Sequence, residues 1–266
     1  MIRWVLFAAC SLQIALVDRY VLVDAWIEER GPFLLLVDTG ATSSAVTPAV
    51  AQAARVRPDH RVTLSTAASD RIVSAGKTHI RVGDVTGTGV EVLILELETM
   101  RRIDPRIQGV LGQSFLSRFP CLIDYRARRM WLGEEAMRRA EAMPAPLPAE
   151  TTEGRMTVPV IVDGAAKPVR LVLDSGAAAM VLTCGASCPR LIESGAGGRM
   201  FTNAGEQEVV QGRVSGVAVG TIRIPRPAVA LLKGVPLTAF EDGVIPAYWF
   251  SSVYLDPQRK QVRLAR

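Results

Sequence analysis

The sequence predicts a mainly β protein built as two similar lobes with few, short helices. Three observations carry that expectation: one turn motif occurs twice in the same apolar context, further matches keep register with it, and strand signals outnumber helical ones. The motif appears as Leu35-Leu36-Val37-Asp38-Thr39-Gly40-Ala41 and again as Leu171-Val172-Leu173-Asp174-Ser175-Gly176-Ala177, 136 positions later. Each copy is an apolar run ending in a carboxylate, a hydroxyl residue and a glycine.

The register makes this a duplication. Val110-Leu111-Gly112 is matched by Val244-Ile245-Pro246 at an offset of 134, and Leu122-Ile123-Asp124 by Tyr254-Leu255-Asp256 at 132. Pro32 matches Pro168, and Gly76 matches Gly212. One unit used twice with small deletions accounts for the slow drift, and two copies of this length mean a duplicated domain and not a solenoid.

Short apolar or alternating runs bounded by Gly, Pro and Asp read as strands. In the first half they are Tyr20–Ile27, Phe33–Val37, Ile80–Val82, Val90–Leu97 and Met130–Leu132. The second half repeats them at Met156–Val162, Val169–Leu173, Val214–Val219, Ala228–Leu232 and Val262–Leu264. Pro48–Ala54 is the best helix of the first half, with proline at an early position where its missing N–H costs nothing. Gln113–Phe119 and Ala247–Val253 each suit a turn or two of helix. Glu134–Ala142 is charged and helix-prone, and the Pro/Ala alternation from Met143 to Glu150 favours an extended spacer. The expected organisation is therefore a first lobe over residues 18–133, a linker over 134–152 and a second lobe over 153–266.

Residues 1–17 stand apart. Arg3 precedes an uncharged, mostly apolar stretch from Trp4 to Val17 that is too short to span a bilayer and resembles a secretory signal. Export to the periplasm or beyond is the expectation. An extra N-terminal strand or a misplaced start codon is the alternative, which would leave the protein cytoplasmic, and no clean Ala-x-Ala cleavage site follows.

The bulk numbers exclude several functions. Hydrophobic residues at 49% are ample for two cores, so extensive disorder is not expected. The net charge of +5 and pI near 9.3 come from scattered Lys and Arg, without the clustered stripe and interleaved aromatics of a nucleic-acid surface. Two histidines, His60 and His79, are too few and too separated for a histidine-based metal site. Cys184 and Cys188 are close enough to close a small loop in an oxidising compartment, though spacing alone leaves that pairing open. Gly195-Ala196-Gly197-Gly198 lacks the Lys-Ser/Thr ending of a phosphate loop and reads as a turn. No metal, cofactor or nucleic acid is implied.

The chemistry lies in the repeated turn. A carboxylate at a strand end followed by glycine sits where backbone can approach a partner closely. Two such turns brought together across a lobe interface place like charges side by side, so the pair holds one proton and titrates as a unit. Such a pair can take a proton from water as it attacks a carbonyl and give one to the carbonyl oxygen. Asp124 and Asp256 also match between copies, but each follows a short apolar run before a basic turn and reads as structural.

On these residues the chain resembles the pepsin/retropepsin-type aspartic proteases, with two retropepsin-like lobes fused over roughly residues 19–133 and 153–266. Asp-Thr-Gly-Ala and Asp-Ser-Gly-Ala match that family's catalytic motif, and Val110-Leu111-Gly112 matches its second signature. The resemblance implies the bilobal acid-protease fold of closed, barrel-like lobes and an aspartic endopeptidase acting on extended polypeptide, with Asp38 and Asp174 as the catalytic pair. Thr39, Gly40, Ser175 and Gly176 would support the active-site loops, Thr39 and Ser175 by exchanging hydrogen bonds across the interface. Hairpin flaps are implied at Thr66–Gly76 and Thr202–Gly212, with Ala67, Ala68, Ser69, Asn203 and Ala204 as substrate-binding candidates. A fused duplication makes dimerisation unnecessary, so a monomer is expected.

Three departures bear on the second lobe. Pro246 stands in place of the signature glycine, which removes an amide donor. Ala178-Ala179 form a bland run where the first lobe has Thr42-Ser43-Ser44, and neither flap candidate holds the tyrosine expected of pepsins. The alternative function is therefore a degraded scaffold that binds peptides or ligands in the cleft. Ala41 and Ala177 follow the retropepsin pattern, and without a hydroxyl donor the carboxylates should titrate higher. The expected pH–rate profile thus peaks under mildly acidic conditions; a maximum below about pH 3 would contradict this reading of the motif alanines.

Overall fold

The computed structural model describes residues 12–65, 70–184, 188–202, 205–233 and 241–266. The flap-tip candidates Ala67, Ala68, Ser69, Asn203 and Ala204 lie outside these. The protein is mainly β, with three sheets and only short helices among the described residues.

The apolar run before each turn becomes a central strand, Arg30–Val37 in the first lobe and Val169–Asp174 in the second. Both faces of these strands are covered, which is why they read as continuous hydrophobic runs and not as alternating ones. Leu35 and Val37 enter the main core of the first lobe, while Leu36 enters a second cluster with Ala45, Leu93 and Val110. Successive side chains point to opposite faces, so Asp38 shares the side of Leu36. Leu171 and Leu173 likewise fill the second lobe's core, which leaves Asp174 on the side of Val172.

The strand order is the same in both lobes. In the first, Tyr20–Ile27 is followed by Arg30–Val37, Gly109–Leu111, Ser44–Val46, Val85–Ile94, Asp70–Val82 and His60–Ser65. In the second, the order is Arg155–Val162, Val169–Asp174, Gly243–Pro246, Met180–Cys184, Ala228–Lys233, Gly205–Arg213 and Glu193–Thr202. Each motif strand runs parallel to the strand of the second signature, Val37 opposite Leu111 and Asp174 opposite Pro246. Trp26 pairs with Arg81 and Ile27 with Ile80, which closes the first sheet on itself.

A six-stranded sheet belongs to both halves. At its centre Cys121–Asp124 lies antiparallel to Ser252–Asp256, with Ile123 opposite Val253. Outward on the two sides come Arg129–Leu132 and Gln261–Ala265, then Leu12–Gln13 and Leu147–Pro148. The strands on its two sides thus come from the two halves of the chain, and the central pairing joins the lobes through backbone.

Several elements follow the sequence closely. The helix Pro48–Ala54 is capped by Thr47, whose hydroxyl accepts from Val50 N at 3.3 Å, with proline in the first turn. The charged segment forms the helix Glu134–Ala140, and the expected turn at Gln113–Phe119 is the short helix Gln113–Leu116. Asp124 and Asp256 accept from the amides of Ala127 at 2.7 Å and Arg259 at 3.0 Å, closing turns. Cys188 is disulfide-bonded, and Cys121 is free and buried.

Two segments differ from expectation. The Pro/Ala stretch is not a free spacer, because Leu147 pairs with Val262 and Glu150–Thr152 with Arg155–Thr157. Residues 12–17 of the apolar opening segment fold onto the first lobe, Leu12 opposite Met130 and Ala15–Val17 against Tyr20–Leu22, with Ile14 buried in its core. Glu150–Thr152 and Ala15–Val17 form tight hairpins with the strands that follow them, whereas Leu147 and Leu12 find partners far along the chain that could not be read locally.

Ile123 is fully buried where the shared sheet meets the first core. Ile123→Ala should destabilise the protein by about 3 kcal/mol, by lost transfer energy and an unfilled cavity, as measured by urea unfolding.

Candidate active site

The two motif turns meet face to face. Thr39 Oγ1 donates to Leu173 O at 2.6 Å and accepts from Ser175 N at 2.9 Å. Ser175 Oγ donates to Val37 O at 2.7 Å and accepts from Thr39 N at 3.0 Å. Each hydroxyl therefore satisfies one donor and one acceptor of the opposite lobe, and both residues are 1% exposed. Buried backbone groups require such partners, so the exchange fixes the distance between the turns.

This grip sets the two carboxyls against each other. Asp38 Oδ1 accepts from the amides of Gly40 and Ala41, both at 3.0 Å, and Asp174 Oδ1 accepts from Gly176 N at 2.7 Å. The glycines are needed because each turn abuts the other lobe's acid. A Cβ on Gly40 would lie 2.5 Å from the Asp174 carboxyl carbon, and one on Gly176 would lie 2.7 Å from that of Asp38. Each acid therefore lies close to the other lobe's turn, and both carboxyls titrate above their ordinary value, Asp174 the more strongly. Burial is the main cause for Asp38; its bonds from Gly40, Asp174 and Ala41 work against the rise. Burial also leads for Asp174, reinforced by the neighbouring charge of Asp38. The site is thus a pair of facing carboxyls, Asp38 buried and Asp174 half-buried, that favours sharing a proton over double ionisation.

The structure brings together Asp38, Thr39, Gly40, Asp174, Ser175 and Gly176. The flap candidates sit on antiparallel hairpins: His60–Ser65 pairs with Asp70–Ala75 in the first lobe, and Glu193–Thr202 with Gly205–Arg213 in the second. Their tips are outside the described residues.

Sequence reasoning missed the residues that wire the loops from behind. In the first lobe, Gly112 N donates to Ser44 Oγ at 3.0 Å, and Ser114 Oγ donates to Ser44 Oγ at 3.0 Å or to Glu91 O at 2.8 Å. Gln113 Nε2 donates to Thr39 O at 2.7 Å, tying the second signature to the motif turn. The signal was available in the alignment of the copies, where Ser44, Gly112, Gln113 and Ser114 face Met180, Pro246, Ala247 and Tyr248.

That alignment explains Pro246. The amide it lacks is the one that would need a partner at position 180, and there buried Met180 has no hydroxyl to offer. Donor and acceptor are missing together, which is nearly neutral, whereas losing one alone would leave a buried orphan. Pro246 also rests at φ −63°, the value its ring imposes.

Among the described residues, no group of three or more His, Cys, Asp or Glu side chains is placed to hold a metal ion.

The raised carboxyls couple the site to stability. A carboxyl with a higher pKa folded than unfolded binds its proton more tightly in the folded protein, so stability falls as pH rises through that window and the penalty vanishes below the unfolded value near about 4. Asp174→Asn should therefore raise the Tm at pH 7 by a few degrees, about 1 kcal/mol being worth roughly 2–4 °C for a chain this size. The gap to wild type should close toward pH 4 in thermal melts.

Comparison with known families matches residues 23–115 to the model described as aspartyl protease. The matched span contains both the Asp38 turn and the Val110-Leu111-Gly112 step. No curated protein matches the chain.

Proposed function

We propose that the whole chain is an aspartic endopeptidase in which Asp38 and Asp174 activate water between them, a reading supported by the match of residues 23–115 to the aspartyl protease model. The single observation that carries this reading is the convergence of one acid from each lobe, Asp38 buried and Asp174 half-buried, each packed against the other lobe's motif glycine and both raised in pKa.

The reaction follows from one shared proton, because two acids this close cannot both ionise. Water attacks the peptide carbonyl carbon while the ionised carboxylate takes its proton, and the protonated partner donates to the carbonyl oxygen. The resulting diol collapses when the first acid passes its proton to the amide nitrogen. The C–N bond breaks, and the second acid recovers its proton from a diol hydroxyl. No covalent intermediate forms, and the dyad ends as it began.

Substrate would lie extended between the lobes, adding to the edges of the flap hairpins by main-chain hydrogen bonds. The disulfide at Cys188 supports residence in an oxidising compartment. The feature that favours a degraded, binding-only scaffold is Pro246, and the paired change at Met180 removes most of its weight.

Asp38→Asn should abolish cleavage of a denatured protein at pH 4–6 while leaving the fold intact by circular dichroism. Gly176→Ala should lower kcat at least about 100-fold, because its methyl group displaces Asp38 across the interface. Equal cleavage by wild type and Asp38→Asn would refute the enzyme reading.

A further inference from the structure

Arg19 and Arg155 stand at matching places 136 residues apart, each at the start of the first long strand of its lobe. Their surroundings differ. Arg155 Nη2 lies 2.8 Å from Glu241 and 3.3 Å from Glu153. With the turn residues Gly40–Ser43 it lines a cavity of about 500 Å³ whose floor includes Leu93, Leu95 and Val110. That floor is the apolar cluster on the Asp38 side of the first sheet.

In the second lobe the corresponding ground is taken. Arg19 Nη1 donates to Ala178 O at 3.0 Å, its guanidinium lies 5.4 Å from the centre of the Tyr248 ring, and Tyr248 OH donates to the same carbonyl at 3.0 Å. Ala178 matches Thr42 and Tyr248 matches Ser114. In the first lobe Thr42 O accepts from the backbone N of Ser114 at 3.0 Å, and the small Ser114 side chain turns away to Ser44 and Glu91. One carbonyl is thus capped by backbone in the first lobe and by a tyrosine–arginine pair in the second. Among the described residues, the second lobe's cavity, about 470 Å³, touches the motif loop at Ala179 and runs outward along Ser194, Gly212 and Ala230.

We propose that Arg19 and Tyr248 close the second lobe's ground beside the scissile bond to all but small side chains, while the open place beside Gly40–Ser43 receives a large aliphatic one. The cleft then reads its substrate asymmetrically despite its duplicated frame. This rests on the cleft being the peptide site proposed above. An extended peptide turns successive side chains to opposite faces, so residues flanking the cut meet different lobes. The open cavity exceeds by far the roughly 150 Å³ that holds a benzene ring. On the closed side a bulky side chain would have to displace the Tyr248 ring and break its bond to Ala178.

The test is a set of quenched peptides in which the residue on each side of the cut is varied in turn between Ala, Val, Leu and Phe. Wild type should prefer Leu over Ala on one side by about tenfold or more in kcat/KM and show the reverse preference on the other, each methylene being worth about tenfold or more. Tyr248→Ser should bring the large-to-small ratio on the restrictive side to within about threefold of unity, and Leu93→Ala should change only the permissive side. Tyr248→Phe, which keeps the ring, should keep the restriction. Equal breadth on both sides in wild type, or an unchanged ratio in Tyr248→Ser, overturns the proposal. Binding of the same peptides to Asp38→Asn, followed by fluorescence anisotropy, gives the second readout. Asymmetric binding without any cleavage by wild type would sink the catalytic reading and uphold this one, and symmetric binding would sink this one alone.

Discussion

The structure depends on four hydrogen bonds at the lobe interface, those that Thr39 and Ser175 exchange with each other's backbone. They are fully buried, so each lost partner would leave an uncompensated polar group, at a cost of about 1–3 kcal/mol. They also oppose the tendency of two neighbouring acids to push their loops apart. The reciprocal contacts of Gly40 with Asp174 and of Gly176 with Asp38 exist only because this grip holds the turns at that distance.

Around this fixed centre the two halves support their turns differently. The first lobe supports its turn with hydroxyls and an amide, through Ser44, Ser114 and Gln113. The second does so with Met180, Pro246 and Ala247, all buried. Loss of a buried donor is tolerable when its acceptor is lost as well, and Pro246 with Met180 is such a pair. A departure that looks like decay at one position is therefore a change of support when read with its partner.

The site carries a stability cost that follows from its chemistry. Burial raises both carboxyls, and the charge of Asp38 raises Asp174 further. A group held away from its ordinary protonation state destabilises the fold in the pH range where that state is wrong. The shared sheet, with Ile123 opposite Val253 and both fully buried, is the part of the fold placed to offset it. It ties the lobes by backbone pairing at their junction.

Much was determined by the sequence alone. The duplicated apolar-Asp-(Thr/Ser)-Gly unit gave two lobes, the acids and the hydroxyls beneath them, because a buried central strand needs an unbroken apolar run and a tight approach needs glycine. Periodicity and caps gave the helix Pro48–Ala54 and the strand Tyr20–Ile27, which are local in origin. Tertiary structure alone decided that Leu147–Pro148 and Leu12–Gln13 become edge strands of a common sheet, since edge pairing depends on a partner more than a hundred residues away. It alone placed Arg19 and Tyr248 together on Ala178 O, residues 229 apart with no pattern linking them. Propensity acts over a few residues, but a carbonyl chooses its donors from whatever the folded chain brings within about 3 Å.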